Sequence, residues 1–210
     1  MKFEELLAAV GDEPVFETGL LLAGDVDPSD VRRQLSRWVR SGRLLQLRRG
    51  LYALAPPFQK NPPHPFLVAN RLVGGSYVSL QSALAYYGLI PEGVHAVTSV
   101  TPGRPVTFHT PLGRYEYRHL KPSLLRGYIL TAVGNGQEAY LATPEKALLD
   151  LIYLTPGGDA PAYLRELRLE NLAILRPEEL ARHVTSPKLR RAVEYVLRLR
   201  AEESEGFTEL

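Results

Sequence analysis

The stretch from Asp27 to Leu54, DPSDVRRQLSRWVRSGRLLQLRRGLYAL, constrains this chain more than any other. It predicts a helix followed by a tight two-stranded hairpin. Asp27 suits the N-cap, Pro28 the first helical position, and Asp30 the place of a capping-box acid. Val31, Leu35, Trp38 and Val39 recur at helical spacing and form one apolar stripe. The opposite face carries Ser29, Arg33, Ser36, Arg37 and Arg40, with Arg32 and Gln34 at its flanks. Gly42 ends the helix, and Arg43 follows it. The apolar runs Leu44–Leu47 and Leu51–Leu54 are joined by Arg48-Arg49-Gly50, a hairpin with arginines at its tip and a glycine for the left-handed turn residue. An arginine-faced helix leading into an arginine-tipped hairpin is what a winged helix-turn-helix needs to meet DNA.

The formal net charge of +2 hides a polarisation. Residues 1–30 set Lys2 against Glu4, Glu5, Asp12, Glu13, Glu17, Asp25, Asp27 and Asp30. Residues 31–60 carry seven arginines and Lys60 with no acid. So one-sided a block is an electrostatic footprint for a polyanion. A solvated helix face paired with the preceding acids is the plainer alternative.

Two helices are expected ahead of this stretch, over residues 2–10 with Phe3, Leu6, Leu7 and Val10 on one side, and over 15–23 with Gly24 closing the second. Residues 1–55 then make a winged helix-turn-helix domain. PPFQKNPPHP, within a linker over 56–65, reads as a stiff domain boundary in which His64 is solvated. Residues 66–210 make a second domain. Helical spacing resumes over 66–73, and Ser79 caps a helix that runs to Tyr87 and stops at Gly88. Strands are expected over 94–100, 106–110, 114–120, 128–133 and 137–141, with Asn135-Gly136 as a strong hairpin turn. An apolar helix over 144–154 follows, then helices over 160–169, 177–183 and 187–203, with the chain after Glu202 frayed. The fold class is therefore α+β: a winged helix-turn-helix domain, a proline-rich linker, and a C-terminal mixed α/β domain with a mainly antiparallel sheet of about five strands and terminal helices.

Several chemistries find little support. The chain has no cysteine, so disulfides and thiolate metal sites are excluded. Gly74-Gly75-Ser76 lacks the spacing and lysine of a phosphate loop. His109 and His119 sit on two arms of one hairpin, but a turn near Leu112-Gly113 sets His109 opposite about residue 116. No metal and no cofactor is expected. Glu145, Lys146 and Asp150 invite a nuclease reading, yet two acids five apart lie on different faces of one helix, and an acidic first turn suits the helix dipole. No Gly-x-Ser-x-Gly elbow is present. An enzyme is not expected. With no apolar run long enough to span a bilayer and an acidic, amphipathic N-terminal stretch, a cytoplasmic protein is expected. A second basic helix near the end carries Lys188, Arg190, Arg191 and Arg198, an auxiliary DNA-backbone contact or a solvated surface.

Three segments together resemble one family: SGRLLQLRRGLYAL, YVSLQSALAYYGLIPEGVHAVTSVTPGR and ATPEKALLDLIYL. Over about Phe16 to Leu154 the chain is similar to the AbiEi antitoxins, transcriptional regulators of abortive-infection (phage-defence) toxin–antitoxin systems. The resemblance implies an N-terminal domain that binds operator repeats in double-stranded DNA and represses its own operon. It implies a C-terminal domain with antitoxin and auxiliary DNA-contact roles. It also implies a nucleotidyltransferase-like toxin, counteracted in function rather than through a stable complex, as in type IV systems. On that reading Ser29, Arg33, Ser36, Arg37 and Arg40 face bases or phosphates, Arg32, Gln34 and Arg43 flank them, and Arg48 and Arg49 reach phosphate or minor groove. A stand-alone regulator, and a module that docks an acidic protein on the same basic surface, remain the alternatives.

Overall fold

The computed structural model describes residues 1–22, 26–91, 93 and 95–206. The N-terminal unit runs α1 (Phe3–Val10), β1 (Phe16–Glu17), a 3-10 turn (Thr18–Leu22), α2 (Pro28–Arg40), β2 (Leu44–Arg48) and β3 (Leu51–Leu54). Asp27 caps α2 by accepting the Ser29 N–H at 2.8 Å, and Pro28 occupies the first turn. The helix closes through two bonds, Gly42 N–H to the Val39 carbonyl (3.1 Å) and Arg43 N–H to the Trp38 carbonyl (2.9 Å). That closure needs a left-handed residue, and Gly42 supplies it at φ +71°. Phe3, Leu6, Leu35, Trp38 and Leu44 are buried together, with the Phe3 and Trp38 rings 5.3 Å apart edge to face.

Residues 15–22 correct the expected second helix. Phe16 pairs with Tyr52 and Glu17 with Leu51, so β1 joins the hairpin in a three-stranded sheet ordered β1-β3-β2. Thr18 N–H then donates to the Gly50 carbonyl at 2.9 Å. The open edge of β3 offers strand pairing to Phe16-Glu17, and Val15 and Phe16 find buried sites. A five-residue segment holding Gly19 is left over, too short for more than a 3-10 turn. Gly24, expected to close that helix, lies outside the described residues.

The hairpin is buried on both faces. Leu44, Tyr52 and Leu54 point into the first core, while Leu47, Leu51 and Ala53 join Val15 in a second core that fills the rest of the molecule. The proline-rich segment is clamped rather than loose. Gln137 accepts the His64 N–H at 2.7 Å and donates through Nε2 to Asn61 Oδ1 (2.9 Å) and the Pro62 carbonyl (2.8 Å). His64, expected to be solvated, caps α3 (Pro65–Leu72) instead: its Nδ1 accepts the Phe66 N–H at 3.1 Å.

Beyond it, β4 (Tyr77–Val78), α4 (Leu80–Tyr86), β5 (Val97–Thr101), β6 (Val106–Thr110), β7 (Gly113–His119), β8 (Tyr128–Gly134) and β9 (Gln137–Ala142) supply a six-stranded mixed sheet ordered β6-β7-β5-β4-β9-β8. The fold is mixed α/β. The strand missing from the sequence reading is β4, only two residues long. It joins the two hairpins, antiparallel to β5 at Tyr77↔Val100 and parallel to β9 at Val78↔Leu141. The register of the β6–β7 hairpin also differs: His109 faces Arg114, because the turn is Pro111-Leu112 between the pair Thr110↔Gly113. Asn135 and Gly136 turn β8 into β9 with φ of +51° and +69°, as a type I′ turn requires. The expected strand over 94–100 begins at Val97, and residue 94 is outside the described set.

α5 (Pro144–Leu154), capped by Thr143, runs through the centre with Leu148, Leu151 and Ile152 wholly buried, against α4, α7 (Pro177–His183) and α8 (Pro187–Gly206). α6 (Pro161–Glu166) packs on α8. α8 continues to Gly206, past the expected fraying point. Among the described residues no helix is long and apolar enough to cross a membrane.

Candidate nucleic-acid interface

α2 presents its polar face outward because its apolar stripe is consumed by the first core. Ser29, Arg32, Arg33, Ser36, Arg37 and Arg40 are exposed, and Gln34 is half-buried. They are not equally available. The Ser29 hydroxyl donates to Asp27 at 2.9 Å, and Arg33 pairs with Asp30 one turn back. Arg40 bonds the Ser36 carbonyl weakly, at 3.4 Å. Arg32 and Arg37 have no partner among the described residues. The helix N-terminus is acidic: hydrogen bonds from Ser29 hold the Asp27 carboxyl below its ordinary range. The cationic field therefore rises toward the C-terminal half of α2, at Arg37 and Arg40.

Arg43 stacks its guanidinium 4.9 Å above the Phe3 ring. The two arginines of the hairpin tip diverge. Arg49 is exposed and unpartnered among the described residues. Arg48 folds back, donating to the carbonyls of Arg49 (3.2 Å) and Arg71 (3.3 Å) and lying 3.6 Å from Glu17. It ties the tip to β1 and α3.

On α8 the same sorting applies. Lys188 donates to the carbonyls of Tyr153 (3.3 Å) and Thr155 (2.5 Å), closing the C-terminus of α5. Arg191 pairs with Asp159 at 2.6 Å. Arg198 sits 5.7 Å over the Tyr195 ring. Arg190 is exposed without a partner among the described residues. Free positive charge there is confined to Arg190 and Arg198.

The large groove between α1–β1 and the β8–β9 end, about 970 Å³, is lined by Asp12, Glu13, Glu17 and Glu138. Their charge disfavours a polyanion.

The polar residues of α5, read from the sequence as acids on different faces of one helix, belong to two ion pairs. Glu145, Lys146 and Asp150 are all buried. Lys146 pairs with Asp150, whose Oδ2 also accepts from Ser79 Oγ (2.9 Å) and Tyr77 Oη (3.0 Å). Glu145 Oε1 accepts the N–H of Arg176 (3.1 Å) and its Nε (3.3 Å). Burial pushes the Asp150 carboxyl up and the Lys146 ammonium down, each opposed by the other's charge. Each acid is thus matched by its own cation, and no group of three metal-ligating side chains converges among the described residues. The cavity beside Lys146 and His183 is about 20 Å³, room for about one water. The signal available in the sequence was that α5 is apolar on every side, which marks a buried helix.

These features define a mixed α/β protein whose N-terminal part offers a basic helix–hairpin surface. Residues 28–55, the span of that helix and hairpin, match the model of a family described as transcriptional regulator, AbiEi antitoxin. The match supports a general antitoxin and regulator role, in a family that is regulatory rather than enzymatic. No curated protein matches the chain.

Proposed function

We propose that this protein is a sequence-specific DNA-binding repressor that also acts as the antitoxin of a type IV-like abortive-infection system, binding its own operator from the cytoplasm. One observation carries the reading: α2 turns Arg32, Arg37 and Arg40 outward, and the hairpin that follows turns Arg49 outward. The order α1, β1, short turn, α2, β2, β3, with β1 beside β3, is the frame a winged helix uses to set one helix in the major groove. Residues 1–55 form the DNA-binding unit in this reading, and the body beyond residue 65 carries the antitoxin role.

α2 enters the groove with its C-terminal half, because Asp27 and Asp30 repel phosphate at the other end. Arg37 reads a base edge, with Ser36 and Gln34 beside it. Arg32, Arg33, Arg40 and Arg43 steady the backbone, and Arg33 first exchanges Asp30 for a phosphate. Arg49 reaches the flanking phosphate or minor groove, and Arg48 fixes the angle of the tip. Arg190 and Arg198 supply an auxiliary phosphate contact, with Lys188 and Arg191 held in intramolecular bonds. The partner toxin is nucleotidyltransferase-like and is counteracted without a stable complex.

Binding to the duplex upstream of the protein's own gene, followed by fluorescence anisotropy over a salt series, tests this. The affinity should fall steeply with salt. Arg37→Ala should cost about 1–3 kcal/mol on the operator and narrow the gap to random duplex. A shallow salt dependence with no operator preference overturns the assignment.

A further inference from the structure

The open edge of the six-stranded sheet carries a surface that the DNA reading does not use. β8 is the last strand and pairs with β9 alone. Its outer row of backbone N–H and C=O groups has no strand beside it among the described residues. The strand reads Tyr-Ile-Leu-Thr-Ala-Val-Gly, with no charge and no proline. Ile129 and Leu130 are 53% and 52% exposed, and Tyr128 and Tyr140 are 40% and 47% exposed. Leu130 faces its cross-strand neighbour Tyr140 on one side of the sheet, and Ile129 points to the other. The opposite edge is treated differently, since β6 runs beside β2 of the N-terminal hairpin.

Edges of this length are ordinarily blunted by a charge, a proline or a covering element. β8 has none of these along Tyr128–Ala132. Its one irregularity lies between Ala132 and Gly134, at the turn. We propose that β8 is a homodimerisation strand, pairing antiparallel with β8 of a second copy about a two-fold axis.

A second copy fits better than a foreign strand for two reasons. An isologous contact must be compatible with itself, and an uncharged strand meets its copy without like-charge repulsion. Pairing about Leu130 also alternates size: Tyr128 of one copy faces Ala132 of the other, and Ile129 faces Thr131. Tyr128 and Ile129 then each cover a smaller neighbour, Leu130 meets its own copy, and the apolar side chains now in water are shielded. The pairing itself does not depend on DNA binding. If the DNA reading also holds, the same axis relates two α2 helices and predicts an operator of inverted half-sites.

The absence of cysteine makes a clean test possible. Leu130→Cys sits at the two-fold axis, where opposed strands approach within disulfide reach. Mild oxidation should link it into a covalent dimer, while Glu4→Cys on the exposed face of α1 stays unlinked. Sedimentation of the native full-length chain should give twice the monomer mass in the micromolar range. Ile129→Lys should give the monomer mass with unchanged circular dichroism. Monomer mass for the native chain throughout that range overturns the proposal. So does a dimer that survives Ile129→Lys and leaves Leu130→Cys unlinked, and so does mass gained only when another protein is present. Should Ile129→Lys fail to fold, the Leu130→Cys linkage decides alone.

Discussion

Arg48 and Arg49 are adjacent, identical in chemistry, and destined for different work. Arg49 projects into solvent, and Arg48 is spent on the carbonyl of Arg71 and on Glu17. A charge with no intramolecular partner can release a counterion when it meets phosphate; a charge already bonded adds much less. Arg49→Ala should therefore reduce the slope of log affinity against log salt by about one. Arg48→Ala should leave that slope nearly unchanged and lower stability by about 1 kcal/mol, the size of the hydrogen bonds lost. Anisotropy across salt, with a thermal melt of each variant, separates the two. His64 offers a second residue-scale test. Burial lowers its pKa from 6.5, so folding favours the neutral ring whose Nδ1 caps α3. The unfolded chain then binds more protons than the native one just below pH 6.5. Stability from this group is present above that value and is lost as pH falls through the window beneath it. His183, also lowered by burial, adds to the same fall. His64→Asn keeps an N-cap acceptor without a titrating ring. Its melting temperature should fall less than that of the native chain between pH 7 and pH 5.5, and an unchanged fall would count against the role given to His64.

At the scale of elements, what the sequence displays depends on whether a signal is local. α2 was legible from end to end, because Asp27, Pro28 and Gly42 mark its ends and its stripe follows one period. The Asn135-Gly136 hairpin was equally plain, since two consecutive left-handed residues have few sequence solutions. β1 and β4 were not legible. Each is two residues long and exists only because a distant strand completes it, Tyr52 for Phe16 and Val100 for Tyr77. The cluster on α5 failed for the same reason. Lys146 and Asp150 are a helix turn apart, but Ser79 and Tyr77, which complete their bonding, lie 71 and 73 residues from Asp150. The distinction between free and engaged arginines was hidden likewise: nothing local to Arg48 announces Arg71. The cluster now carries its own prediction. Asp150→Asn leaves Lys146 buried without a counter-charge and should cost about 3–5 kcal/mol, whereas replacing the pair by Lys146→Met with Asp150→Leu should recover part of that loss. Urea unfolding of the single and double variants measures both. A single variant as stable as the native chain would mean the pair is not the tie between β4, α4 and α5.

For the molecule as a whole, the hairpin is the shared wall. The reading element of the proposed DNA interface stands on it, and so does the second core, which takes Leu47, Leu51 and Ala53 from its other face. Units of this size often stand alone, but the hairpin here sends side chains into a core on each of its faces. Cutting after residue 60 would bare Leu47 and Leu51, each worth about 1.5–3 kcal/mol when fully buried. It would also remove the Arg71 carbonyl that holds Arg48. A domain of that length has little stability to spare. The fragment 1–60 should therefore melt far below the full chain or associate through the bared face, while the full chain unfolds in one transition followed alike by Trp38 fluorescence and far-ultraviolet circular dichroism. Trp38 is the single tryptophan and lies wholly in the first core, so its signal reports the N-terminal unit alone. Two separated transitions, with fluorescence changing first, would mean that the cores are independent and that the hairpin does not couple them. Coincident transitions would mean that a perturbation of α2 is felt in the six-stranded body, through residues that lie outside the proposed DNA interface.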